Sequence, residues 1–80
     1  MTKLPPLTYR ELVHRLRLAG FVFDRQAKGS HEIWYNPETR RRTTLPHHPG
    51  TLDKGTVRAI LREAGLSVEQ FLELEQPKPR

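Results

Sequence analysis

The chain contains no cysteine among its 80 residues. This absence excludes a disulfide framework and every zinc site with thiolate ligands, two devices that often stabilise small domains. Long apolar runs are also lacking, because no stretch approaches the ~18 residues that a membrane span requires. The N-terminus has no apolar segment of the kind found in signal peptides. We therefore predict a cytoplasmic protein that makes no contact with a membrane.

Acidic residues are scarce, with 9 Asp and Glu against 14 Lys and Arg and a formal net charge of +5. The excess of base lies before residue 48, whereas residues 66–76 carry three Glu and no base. This asymmetry favours a polyanion that contacts the first part of the chain. A chain this short has material for one thin core. We predict a single domain, 1–80, with its core over 8–74, an extended lead-in at 1–7 and a flexible tail at 76–80.

Two capping signals and two apolar stripes predict the helices. Thr8-x-x-Glu11 has the spacing of a capping box and opens a predicted helix over 9–19, which ends before Gly20. A second helix is predicted over 53–64, with apolar residues at helical spacing. Ser67-x-x-Gln70 repeats the capping spacing and predicts a short C-terminal helix.

Three segments between these helices have the composition of strands. They span 21–27, 31–36 and 41–46, and turn residues in connections of hairpin length separate them. The residues that follow, Pro46 to Gly50, favour a loop, since the two prolines lack a backbone donor. The order predicts an α+β sandwich, α-β-β-β-α, in which a three-stranded antiparallel sheet carries the helices on one face.

His31 stands out for its position at the mouth of the first hairpin. Gly29 permits a backbone conformation that a Cβ would block, and Ser30 offers a hydroxyl beside the ring. An imidazole can take up and release a proton near neutral pH, which suits acid–base chemistry. From the residues alone, an ordinary polar side chain at a strand start is the stronger interpretation.

Three blocks of sequence together resemble the HicA family of bacterial toxins. They are Lys28-Gly29-Ser30-His31-Glu32-Ile33-Trp34, Arg41-Arg42-Thr43-Thr44-Leu45-Pro46-His47 and the run from Lys54 to Leu66. The resemblance extends over about 9–71. It implies a fold like that of double-stranded-RNA-binding domains, an mRNA-cleaving activity that arrests translation, and neutralisation by a HicB-type antitoxin. We predict that the cleavage needs no cofactor and no metal.

The resemblance also assigns roles to single residues. His31 occupies the position of the family's catalytic histidine, and Trp34 stands where the family has an aromatic residue, for which we favour a core position. Glu32 is a departure from the family pattern, as is the doubling of His47 by His48. Neighbouring strand residues point to opposite faces, so we expect Glu32 to be solvated and not paired with His31.

The remaining candidate residues are basic or polar and are suited to phosphate contact. We assign RNA binding to six of them: Lys28, Ser30, Arg41, Arg42, Lys54 and Arg58. His47 and His48 are candidate helpers of His31. A metal site at this His pair is disfavoured because no cysteine or carboxylate cluster completes a coordination sphere.

The sequence thus predicts a toxin of a type II toxin–antitoxin system that cleaves mRNA with His31 and arrests translation. The alternative is a non-catalytic RNA-binding module of the same fold. A third reading is a small interaction protein whose basic face binds an acidic protein partner.

Overall fold

The first helix, α1 (Tyr9–Leu18), begins where its capping box predicts. The computed structural model describes residues 3–74, so the predicted tail at 76–80 lies outside the described residues. The Thr8 hydroxyl accepts from the backbone N–H of Glu11, whose carboxylate accepts from the backbone N–H of Thr8. Gly20, just beyond the helix, has a φ of 106°, a conformation that glycine adopts without strain.

The two later helices also follow their sequence signals. Helix α2 (Lys54–Ala64) is capped by the Asp53 carboxylate and stops at Gly65, which adopts the left-handed conformation. Helix α3 (Val68–Glu73) has a complete capping box between Ser67 and Gln70. Each capping bond satisfies a backbone donor that the helix itself leaves unpaired.

The central sheet has three strands: β2 (Val22–Gln26), β3 (His31–Asn36) and β4 (Arg41–Pro46). They are antiparallel and lie in the order β2-β3-β4. His31 pairs with Pro46, and the register between β2 and β3 shifts around Asp24. The predicted α+β class, the antiparallel sheet and the short C-terminal helix are confirmed.

A second, two-stranded sheet was not predicted. It joins β1 (Leu7–Thr8) to β5 (Thr51–Leu52) in antiparallel pairing. Leu4 and Leu7 are buried, so the segment predicted as a lead-in contributes two leucines to the core, while Pro5 and Pro6 between them are exposed. This pair holds the start of α1 beside the start of α2, with the loop after β4 between them.

The two faces of the central sheet differ in burial. Along β3 the residues alternate, and the inward face carries Trp34, which is 2% exposed. The helices cover this face with buried apolar side chains: Leu12 and Leu16 from α1 and Val57, Ile60, Leu61 and Ala64 from α2. Each large side chain contributes ~1.5–3 kcal/mol on burial. The predicted core position of Trp34 is confirmed. Within residues 3–74, no helix covers the opposite face, which carries His31.

Helix α2 is fixed to the last strand by hydrogen bonds as well as by packing. The Thr43 hydroxyl donates to the Glu63 carboxylate at 2.9 Å and is 3.2 Å from the Ile60 carbonyl. The backbone N–H of Thr44 also donates to Glu63, at 3.3 Å. These bonds join β4 directly to α2 and therefore fix the positions of the strand and the helix relative to each other.

Candidate functional site

The turn before β3 presents His31 at the surface. Gly29 has a φ of 63°, and no atom lies within 4 Å of the position a Cβ would occupy, so backbone conformation alone favours glycine there. The amide of Gln26 donates to the carbonyls of Gly29 and His31, at 3.3 and 3.2 Å. These bonds hold the turn, while the His31 ring stays exposed.

A groove lies between the open edge of the sheet and α2. His31, Thr44 and Pro46 line its sheet side, and His48 lines it from the loop after β4. The helix side is lined by Thr56, Ala59, Ile60 and Glu63. The groove therefore brings two imidazoles and one carboxylate to a single opening.

Glu32 is not solvated, contrary to the sequence expectation. It is 8% exposed, and its carboxylate accepts hydrogen bonds from the Tyr9 hydroxyl and from the Trp34 indole, the latter at 3.1 Å. The Nδ1 atom of His47 lies 3.3 Å from its other oxygen. The alternation that places Trp34 in the core also places Glu32, two residues earlier, on the same face. The sequence therefore held the signal for this buried carboxylate.

The hydrogen bond between Tyr9 and Glu32 changes the pKa of both groups. Burial alone raises the pKa of Glu32, but the hydrogen bonds from Tyr9 and Trp34 and the nearby His47 outweigh it, so its pKa lies below the ordinary 4.5. Burial and the bond to Glu32 raise the pKa of Tyr9 to about 12, against a smaller opposing effect of Arg17. Folding thus favours an ionised Glu32 and a neutral Tyr9.

This shift predicts how stability depends on pH. Because folding lowers the pKa of Glu32, its contribution is fully present above 4.5 and is lost as the pH falls through the lower folded-state pKa. Glu32→Gln imitates the protonated acid. We expect the wild type to exceed this variant in free energy of unfolding at about pH 7 and the difference to shrink towards about pH 3. Urea titrations measure both, and a difference that does not change with pH would contradict the assignment.

The two neighbouring histidines of the loop have different surroundings. The His47 ring is exposed, stacks on Tyr9 with 4.0 Å between centroids and an angle of 11°, and contacts Glu32. His48 lies in the groove with His31, and its Nδ1 atom is 2.9 Å from the Pro49 carbonyl oxygen. Of the two candidate helpers, the structure brings His48 together with His31 in the groove and holds His47 against Tyr9.

The predicted RNA-binding residues fall into two groups. Lys28 and Ser30 are exposed in the turn that leads into His31. Arg42 is on the same sheet face as His31, with its guanidinium 4.5 Å from the Tyr35 ring centroid and 3.9 Å from Asp24.

The other three predicted RNA-binding residues do not line the groove. Arg41 faces α2 and donates to the Glu63 carbonyl at 3.3 Å. Lys54 and Arg58 are exposed, and their i, i+4 spacing places them on one side of α2. The groove uses Thr56, Ala59 and Glu63 of that helix, so these two cations lie on a different side.

Residues 3–74 contain no group of three His, Asp or Glu side chains that could hold a metal ion. No helix in the same range is both long and apolar enough to span a membrane.

The fold and the groove define a small basic α+β domain in which two exposed histidines, His31 and His48, lie beside α2. The family model for the HicA toxin of bacterial toxin–antitoxin systems matches residues 9–66, which include α1, α2 and the three strands of the central sheet. The chain therefore belongs to the HicA toxin family. A search of curated proteins finds no match to this chain.

Proposed function

We propose that this protein is an mRNA interferase, an endoribonuclease that cleaves mRNA in the cytoplasm and thereby arrests translation. The observation that carries the proposal is the exposed ring of His31, held by a fixed turn at the groove of a HicA-family domain. A basic chain with a net charge of +5 is suited to a polyanionic substrate. Membership in a toxin–antitoxin family implies an antitoxin partner, which we propose to be of the HicB type.

The proposed chemistry uses the substrate's own ribose as nucleophile. The 2′-oxygen loses its proton and forms a bond to phosphorus, and the bond from phosphorus to the 5′-oxygen breaks as that oxygen gains a proton. His31 serves as the acid or the base in this exchange. The products are a 2′,3′-cyclic phosphate and a free 5′-hydroxyl. No metal or cofactor takes part in the proposed reaction.

The cations have a separate role in the proposal. Lys28 stabilises charge on the phosphate oxygens near His31, and Ser30 donates a hydrogen bond to the RNA backbone. Arg41, Arg42, Lys54 and Arg58 bind phosphates further along the RNA.

Growth of cells tests the proposal directly. We expect induction of the wild-type protein to stop growth and induction of His31→Ala at equal protein level to leave growth unimpaired. Co-expression of the antitoxin should restore growth of cells that make the wild type. Equal arrest by wild type and His31→Ala would contradict catalysis by His31 and favour a non-catalytic RNA-binding module.

Salt dependence tests the phosphate contacts. Each contact contributes about −0.7 to the slope of log K against log salt on single-stranded RNA. We expect Lys54→Ala to weaken binding and to make the slope shallower by about this amount. Fluorescence anisotropy with a labelled RNA measures both quantities, and Lys3→Ala is the matched loss of a cation outside the proposed contacts. An unchanged slope for Lys54→Ala would remove Lys54 from the RNA-binding surface.

A further inference from the structure

We infer that His48 is the second catalytic residue of the proposed RNA cleavage, and that the contact between the buried Glu32 carboxylate and the exposed His47 ring positions His48 opposite His31. The inference rests on the proposed function, which by itself supplies only His31 for a reaction with two proton transfers. It assigns one transfer to each histidine of the groove. Glu32 and His47 hold the loop after β4, which carries His48, and do not contact the substrate.

The geometry follows from the strand alternation at His31 and Glu32 and from the contacts of the loop after β4. His31 points outward and Glu32 inward on β3, whereas in the loop His47 contacts the Glu32 carboxylate and His48 lines the groove. The Nδ1 atom of His47 is 3.3 Å from Glu32 while the His47 side chain stays 57% exposed, and the backbone N–H of His47 donates to the Ser30 carbonyl at 3.0 Å. These contacts of His47 therefore fix the chain that places His48 in the groove with His31.

The loop has further restraints that keep it in this position. The Tyr9 hydroxyl donates to Glu32 while its ring stacks on His47, so α1 holds both Glu32 and His47. The pairing of Thr51–Leu52 with Leu7–Thr8 fixes the far end of the loop. His48 thus extends from a segment held at both ends, as a preorganised catalytic group requires.

The contact with Pro49 determines which nitrogen of His48 is free to react. A carbonyl oxygen can only accept a hydrogen bond, so the Nδ1 atom of His48, at 2.9 Å, is the donor. In the neutral ring this leaves the Nε2 atom unprotonated, as a base requires. His48 then takes the proton of the 2′-hydroxyl, and a protonated His31 gives one to the leaving 5′-oxygen.

Several charged groups lie around His31 and His48. Lys28 precedes His31 in the turn, and Arg10 lines a second opening with His47 and His48. Glu63 of α2 lines the same groove as the two histidines, and it accepts from Thr43 and from the backbone of Thr44. Glu32 contacts His47 and Tyr9, and Arg17 acts on the Tyr9 hydroxyl. Each of these groups is present unchanged when His48 alone is substituted.

Cleavage kinetics against pH are the first test, with a single-stranded RNA oligonucleotide as substrate. An acid and a base acting together give a bell-shaped profile of kcat/KM. We expect His48→Ala to lower kcat by about 10²- to 10³-fold with little change in KM, and to remove one limb of the profile. Added imidazole should restore part of its activity. His14→Ala, which removes an exposed histidine of α1, should behave as the wild type.

Variants of the positioning residues, Glu32 and His47, should differ in their pH profiles from variants of the catalytic histidines, His31 and His48. Glu32→Gln and His47→Ala should lower kcat but keep both limbs of the profile, since both groove histidines remain. A His48→Ala variant that retains full kcat or both limbs would overturn the inference, as would loss of a limb in His47→Ala. If the wild type cleaves no RNA, the proposed function fails instead.

Nuclear magnetic resonance tests the inference without relying on cleavage. Nitrogen-15 shifts of the neutral ring distinguish its two tautomers. We expect His48 in the form with the proton on the Nδ1 atom. A proton on the Nε2 atom would overturn the assignment of His48 as the base, whatever the activity of the protein.

Discussion

Replacing His31 by alanine should abolish RNA cleavage while leaving the fold intact. Loss of a general acid or base lowers the rate by ~10²- to 10⁴-fold. The ring is exposed, and the structural bonds of this turn are made by the backbone carbonyls of Gly29 and His31. The free energy of unfolding should therefore change by no more than ~0.5 kcal/mol.

Purified proteins allow both quantities to be measured on one preparation. Single-turnover cleavage of an RNA oligonucleotide gives the rate, and urea unfolding gives the stability. RNA affinity should persist, because the phosphate contacts lie elsewhere. Cleavage at the wild-type rate by folded His31→Ala would exclude His31 from the chemistry. An unfolded variant would show that this histidine has a structural role.

Replacing Glu32 by alanine should have the largest effect on stability. It removes the shared acceptor of the Tyr9 hydroxyl and the Trp34 indole, and the ion-pair partner of His47. A buried donor left unsatisfied costs ~1–3 kcal/mol. We expect a loss of about 3 kcal/mol, a large fraction of the stability of a domain this small.

A matched substitution distinguishes the loss of the Glu32 hydrogen bonds from the loss of one negative charge. Glu38 is an exposed carboxylate in the turn between β3 and β4, and Glu38→Ala should change stability by no more than ~0.5 kcal/mol. Equilibrium urea unfolding of both variants beside the wild type provides the comparison. A Glu32→Ala protein as stable as Glu38→Ala would contradict the importance of the buried carboxylate.

The helices and the central sheet could be predicted because their signals are local. Thr8 with Glu11 and Ser67 with Gln70 mark helix starts within four residues of sequence, and both capping boxes are present. The β1–β5 pairing escaped prediction because it joins two-residue strands more than forty positions apart. Neither partner has a periodicity long enough to detect.

The site was predicted in part for a similar reason. The turn at Gly29 and the alternation of β3 place His31 at the surface, as expected from the sequence. The Glu32 network gathers groups from α1, β3 and the loop after β4, so its members are brought together only by the fold. The alternation along β3 from Trp34 predicts that Glu32 points inward. It does not predict that Glu32 contacts Tyr9 and His47, which come from other elements.

The chemistry of the cleaved strand tests the central claim most directly. Purified wild-type protein is incubated in EDTA with an RNA oligonucleotide and with a matched strand that carries 2′-deoxyribose at the cleavage site, and the products are identified by mass. We predict that the RNA is cut to a 2′,3′-cyclic phosphate and a 5′-hydroxyl, and that the substituted strand stays intact at that site. Cleavage of the deoxyribose site, a requirement for added metal, or an uncut RNA would contradict the account.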